Sequence, residues 1–336
     1  MKLIYKYFFA GLFVLFLCIN NGVVAETYAT KTGFSTDSVN KFTCAVDQNN
    51  QKYWFAVLVQ HPFTIPILYP EEQTIIFCYD MRTTTLLRKY TCNQRIYEMI
   101  PFENGIVFSR DHYFFLDLQI CYYDEILSKM LVFQRPTLVG KIVAINNNIL
   151  YYQGTSAYDD TNIYAYNIKT QEVRLICKDV GDTYADGQQI YVVTKSKKNR
   201  INIYDIHNGE LSSNSVQLDS NSKIISVADH KAVTSDGSLF MFEDYEATVI
   251  QSRFNLEKEV NACWLEDDRL IIISGDVLES YIISNSQIER VFDYRFGENV
   301  CAIQALYDQI FLFDQTDASL YILNVDGKNE LHISLR

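Results

Sequence analysis

Glycine and proline are scarce in this 336-residue chain, at 13 and 5 residues, which excludes collagen-like and Gly/Pro-rich low-complexity architectures. Basic residues are also outnumbered, with 29 Lys plus Arg against 41 Asp plus Glu and a formal net charge of −12. Sequence-independent nucleic-acid binding needs clustered cations that displace counterions from phosphates, so no nucleic-acid partner is expected. No cysteine pair stands at C-x-x-C spacing, and the G-x-S-x-G, H-E-x-x-H and phosphate-cradling glycine patterns are missing. Those gaps leave no expectation of a metal, a cofactor or a familiar hydrolase centre. No asparagine stands in an N-x-[ST] acceptor, which favours a bacterial envelope over a eukaryotic secretory route. The longest apolar run, residues 8–19, is too short for a membrane-spanning helix of roughly 20 residues.

That run follows Lys2 and Lys6 and precedes Asn20, Asn21 and a tract ending in Val23, Val24 and Ala25. The pattern is that of a signal peptide over residues 1–25, cleaved after Ala25. The expected mature chain is secreted or periplasmic, has no integral span, and carries 27 basic and 41 acidic residues for a net −14. Lipidation at Cys18 is disfavoured because Leu17, before it, is not small. Seven cysteines remain, an odd number, all in apolar strand-like runs; buried free thiols are expected.

What the chain has in abundance is apolar and aromatic residues, 48% and 14%, arranged with a period. An apolar stretch, two polar turn residues and a strongly apolar strand recur at Asn49-Asn50, Asn104-Gly105, Asn147-Asn148, Asp186-Gly187, Asp229-His230, Asp267-Asp268 and Asp308-Gln309. Asn, Asp and Gly suit the positive φ angles of tight hairpins. A second alternating strand follows each, ending at Asp80, Asp117, Asn167, Asp205, Glu243, Ser284 and Asn324, spaced by 37, 50, 38, 38, 41 and 40 residues. Period-2 alternation dominates and helical periodicity is not sustained. Each unit reads as four short antiparallel strands, and one such sheet alone would leave an apolar face and open edges. The expected fold is therefore all-β, a seven-bladed β-propeller of four-stranded antiparallel blades. It is expected to occupy residues 40–336 after an N-terminal extension at 26–39, with repeats starting near 40, 97, 141, 182, 224, 259 and 299. Aligning Tyr166 with Val173, Tyr204 with Leu211 and Tyr79 with Leu86 gives one turn register, which sets Cys78 opposite Leu87 and disfavours a Cys78–Cys92 bridge. Residues 121–135 make the second unit longer, as a short helix or a long outer hairpin.

The strings IYAYNIKTQEV and INIYDIHNGEL resemble the blade-ending pattern of quinoprotein-like and YVTN-type propellers, in which I-Y-x-Y-D-x-x-T-G-E is common. The resemblance is to the wider superfold that includes WD40-like repeats. The quinone-type Trp, the WD40 G-H and W-D pairs and the kelch diglycines are absent. It implies a fold and no particular activity.

By analogy with that fold, ligands meet the loops running from second to third strand and from one blade to the next. The segment QHPFTIPILYPEEQ, residues 60–73, is the longest such loop; its prolines stiffen it, and His61, Phe63, Tyr69, Glu71 and Glu72 offer contacts for a partner. Tyr158, Asp159 and Asp160 could grip a cation or sugar hydroxyls, although solvated turn acids are commoner. One blade later Lys195, Lys197, Lys198 and Arg200 form a basic loop, whose charge could steer a polar ligand. Two function classes are expected from these features. One is a non-enzymatic scaffold that binds a protein or glycan. The other is a carbohydrate- or lactone-active enzyme using Asp159, Asp160, Lys198 and Arg95 at the channel mouth.

Overall fold

The computed structural model describes residues 39–336 except 61–71, 93, 112–117, 134–137, 156–160, 198, 244–245, 252–253, 255–261, 267, 275, 285–286, 297–299, 307–308, 315, 317, 325, 328–329 and 336. Among the described residues, twenty-eight strands form seven antiparallel four-stranded blades, spanning residues 39–92, 96–132, 138–177, 180–217, 224–251, 262–295 and 300–334. Strands follow chain order from the inside of the ring outwards. Blades two and three also touch through a single bridging pair, Leu118 with Val139, which formally joins their hydrogen-bond ladders.

Alternation along the strands explains why the sheets must stack radially. In the second strand of blade one, Lys52–Gln60, Trp54 and Ala56 enter the core shared with blade two, while Phe55 and Val57 enter the core shared with blade seven. In blade three Tyr151 faces blade four, and its neighbours Leu150 and Tyr152 face blade two. Each blade is thus apolar on both faces, and seven buried clusters fill the seven seams of the ring. The last seam joins Phe311, Phe313 and Leu320 to Tyr53, Phe55 and Phe77, so side-chain packing closes the circle without strand exchange.

Local chemistry fixes the register. The pairs Tyr79 with Leu86, Tyr166 with Val173 and Tyr204 with Leu211 all form. Two expectations need correction. The third strand of blade two is Leu118–Asp124, so Asp124, not Asp117, ends it and accepts the Leu127 N–H at 2.9 Å. The segment after Cys121 is accordingly an ordinary outer hairpin, with the outer strand at Lys129–Val132. Cys78 lies opposite Arg88, because a β-bulge follows the Tyr79–Leu86 pair and displaces Leu87. Cys92 lies opposite Thr74, and the buried Cys44, Cys78, Cys92, Cys121 and Cys177 stand outside any disulfide.

Candidate functional site

The ring has two unlike faces. On one, first-to-second and third-to-fourth strands join through tight turns whose polar groups are used internally. The Asp80 carboxylate accepts the Arg82 and Thr83 N–H groups at 2.9 and 2.7 Å. Asn167 does the same for Lys169 and Thr170, both at 3.0 Å, and Asp205 for His207 and Asn208. Other groups stitch neighbouring blades together. Asn50 donates to the Glu103 carbonyl at 3.0 Å, Lys52 pairs with Glu125, and Asn146 shares a hydrogen bond with His207 at 2.7 Å. Gln309 donates to Tyr53 Oη at 2.6 Å across the closing seam.

Asp186 is the densest node of this turn face. Its carboxylate accepts the Gln188 and Gln189 N–H groups, both at 2.8 Å, the Tyr191 hydroxyl at 2.7 Å and the Asp229 N–H of blade five at 3.1 Å. Burial alone would raise its pKa, but these four donors hold it below the usual carboxylate value. Burial and the Asp186 carboxylate together push the Tyr191 hydroxyl well above the ordinary tyrosine range. Asp186 and Asp229 are therefore architectural groups.

The opposite face carries the second-to-third strand loops and the links between blades. In the blade-four loop Lys195 is exposed and its N–H donates to the Asp179 carbonyl at 3.0 Å. Arg200 is half-buried and hydrogen-bonds Ser215 on the neighbouring strand. Asn199, 4% exposed, ties this loop to the next link through the Ser220 and Ser222 carbonyls at 2.6 and 2.9 Å. Lys223 reaches back to Asp182 at 3.1 Å. Arg95 is half-buried in the link between blades one and two, its guanidinium 6.0 Å from the Tyr97 ring centroid.

Glu72 opens the third strand of blade one, opposite Gln60. His61, Phe63, Tyr69, Glu71, Tyr158, Asp159, Asp160 and Lys198 lie outside the described residues. Lys195 and Arg200 flank one loop of blade four, whereas Arg95 sits between blades one and two. Sequence reasoning missed Arg110 and Gln94, which both approach Cys92 at the blade one–two seam on this same face. The signal was available in part, because the turn at Glu103 and Asn104 counts outward to bring Arg110 opposite Ile96 once a bulge is allowed. Among the described residues no group of His, Cys, Asp and Glu side chains is arranged to hold a metal ion. No helix among them is long and apolar enough to cross a membrane.

No family model matches the chain, and no curated protein is similar to it in sequence. Solved structures similar to it are propellers. Kluyveromyces marxianus Hsv2 superposes with a TM-score of 0.58 at 11% identity, over 89% of this chain and 97% of that one. A prolyl endopeptidase gives 0.61 at 10% identity, over 89% of this chain but only 50% of its own length. A chain of a Saccharomyces cerevisiae assembly described as Dbp5 bound to Nup159, Gle1, IP6 and ADP gives 0.53 at 13% identity, with coverages of 88% and 89%. At such identities the likeness establishes the propeller fold and nothing finer.

Proposed function

We propose that this chain is an exported, non-enzymatic binding module that recognises a protein partner through the loop-and-link face of its propeller. The observation that carries this reading is the inequality of the two faces. The turn face uses its Asp, Asn and His side chains to shape its own hairpins and join blades. The opposite face is where the chain leaves at Gln60 and returns at Glu72, the longest interval between consecutive strands, and where Lys195 stands exposed. A rigid ring that presents variable loops is a good recognition surface, because little order has to be gained on binding.

The test replaces residues 61–71 with a short Gly-Ser turn and compares partner recovery with that of a turn-face variant, Lys169→Gln. Recovery is expected to fall at least about tenfold for the loop replacement and to stay unchanged for K169Q. Equal recovery by both variants overturns the proposal. Export is tested separately: the N-terminus of the protein purified from outside the cytoplasm is expected at Glu26, and a retained Met1 counts against it.

A further inference from the structure

The apolar seam between blades one and two ends, on the loop-and-link face, in a cluster of polar groups. Arg110 lies in the strand Gly105–Asp111, opposite Ile96 on one side and Gln119 on the other. Cross-strand partners share a face, and Ile96 belongs to the buried core of this seam, so the guanidinium caps that core. Its Nη1 is 3.8 Å from Cys92 Sγ of blade one, and its Nη2 is 3.2 Å from Gln119 Oε1. Its Nε is buried and has no hydrogen-bond partner among the described residues. None of the described carboxylates forms an ion pair with it. Among the described residues this guanidinium is held by a thiol and an amide and meets no counter-charge, an arrangement that costs free energy until an anion arrives.

Gln94 supplies a second, independent indication at the same place. It is 8% exposed, anchored by the Thr74 hydroxyl, which donates to its carbonyl at 2.7 Å, and its backbone faces the same Cys92 sulfur that Arg110 touches. Its side-chain Oε1 is buried with no hydrogen-bond partner. The cluster thus offers a planar cationic fork, which suits a carboxylate, and, on the residue whose backbone meets the same sulfur, an acceptor that requires an N–H donor. A carboxylate with an N–H group a few bonds away describes an acidic residue within a peptide.

We propose that the Arg110–Gln94–Gln119 cluster at the blade one–two seam binds an acidic side chain of a partner peptide, Arg110 holding the carboxylate and Gln94 the neighbouring backbone N–H. The inference rests on the binding-module reading and specifies its ligand. Of the described acids, Asp80, Asp124, Glu125, Asp186, Asp205 and Asp229 lie on the turn face, whereas Glu72, Asp179 and Asp182 share the loop-and-link face with the cluster.

Fluorescence polarisation with a labelled hexaglutamate peptide on the full mature chain tests it. Binding is expected to weaken about tenfold or more in Arg110→Gln, the scale of losing a charge-assisted hydrogen-bonded pair. An intermediate loss is expected in Arg110→Lys, which keeps charge but not the fork. Gln94→Leu is expected to weaken the peptide severalfold while leaving competition by free acetate unchanged, since acetate has no N–H. Lys169→Gln, on the other face, is expected to bind as the parent does. If R110Q unfolds, the R110K and Q94L results decide. The proposal is overturned if the parent chain gives no polarisation change, if R110Q binds like the parent with its melting transition intact, if K169Q loses as much as R110Q, or if inorganic phosphate displaces the peptide as effectively as a second acidic peptide does. If the 61–71 replacement loses its partner while R110Q keeps both partner and peptide, this inference fails and the binding-module reading stands.

Discussion

Asp186 concentrates in one side chain the means by which this fold positions its blades: it shapes its own turn, orients Tyr191 and receives the first N–H of the next blade's turn. Asp186→Ala leaves three backbone donors and a buried hydroxyl short of an acceptor, and is expected to cost about 2 kcal/mol, read from the urea midpoint at pH 7. Its pH signature has a defined sign. The folded-state pKa lies below the unfolded one, so the stabilisation is fully present above the unfolded carboxylate value and is lost as pH falls through the folded one. Asp186→Asn should therefore flatten the stability profile on the acid side, below about pH 4, and identical acid slopes for parent and variant would rule this out. The thiols behave oppositely. Desolvation pushes Cys44, Cys78, Cys92 and Cys177 up, so iodoacetamide at pH 8 should leave the native protein unlabelled at these sites. In denaturant without reductant at least Cys44, Cys78, Cys92, Cys121 and Cys177, none of them in a disulfide, should react. Fewer than five labels would reveal a disulfide.

At the level of strands, the sequence carried the pairing of turns better than the pairing along strands. Tyr166 with Val173 and Tyr204 with Leu211 were readable because an Asx residue pins each third-to-fourth turn locally. The position of Leu87 was not, because the bulge that displaces it comes from the twist of an outer strand and leaves no residue signature. The 50-residue gap before Asn167 was a misread phase: taking Asp124 in place of Asp117 makes the neighbouring spacings 44 and 43. Arg110 escaped for a similar reason, since its approach to Cys92 of blade one arises only when two blades stack. Bulges between third and fourth strands recur in blades one, three, four, five and six, where they roughen the outer edge against pairing with other sheets. Blade two lacks one, and its edge exposes Leu131 and Val132, with Ile126 and Leu127 at the preceding turn. Leu131→Lys with Val132→Thr is expected to lower light scattering on heating while changing stability by less than about 1 kcal/mol. Unchanged scattering would show that this edge does not drive association. The interior of the same blade tolerates far less. A Cβ on Gly105 would stand 1.8 Å from the Tyr123 carbonyl oxygen, so Gly105→Ala must force two paired strands apart and should cost about 3 kcal/mol, measured by denaturant melting.

For the whole ring, the decisive property is that every blade is built from consecutive strands and that, apart from the Leu118–Val139 bridge between blades two and three, the seams are closed by side chains. The seam between blades seven and one is then equivalent to the other six, except that no peptide link crosses it. Phe311, fully buried, lies 5.8 and 6.0 Å from the Tyr53 and Phe55 rings across that seam. Phe311→Ala should therefore cost the usual ~3–5 kcal/mol of a core aromatic. The stronger test moves the break. Residues 218–223 link the outer strand Leu211–Gln217 of blade four to the inner strand Ile224–Ala228 of blade five. A linker of similar length should span from Ser334 to Val39, because the two strand ends there stand in the same relation. A permutant opened between Asn221 and Ser222 and joined in this way, with Leu335 kept as the first residue of the linker, puts at risk the two hydrogen bonds from Asn199 to that link and the one from the Ser222 N–H to Ser220 Oγ, each worth about 1 kcal/mol. It is expected to keep the parent's β-sheet circular dichroism and a single melting transition. A permutant that loses its sheet signal would mean that the order of the blades along the chain, rather than the packing between them, holds the circle shut.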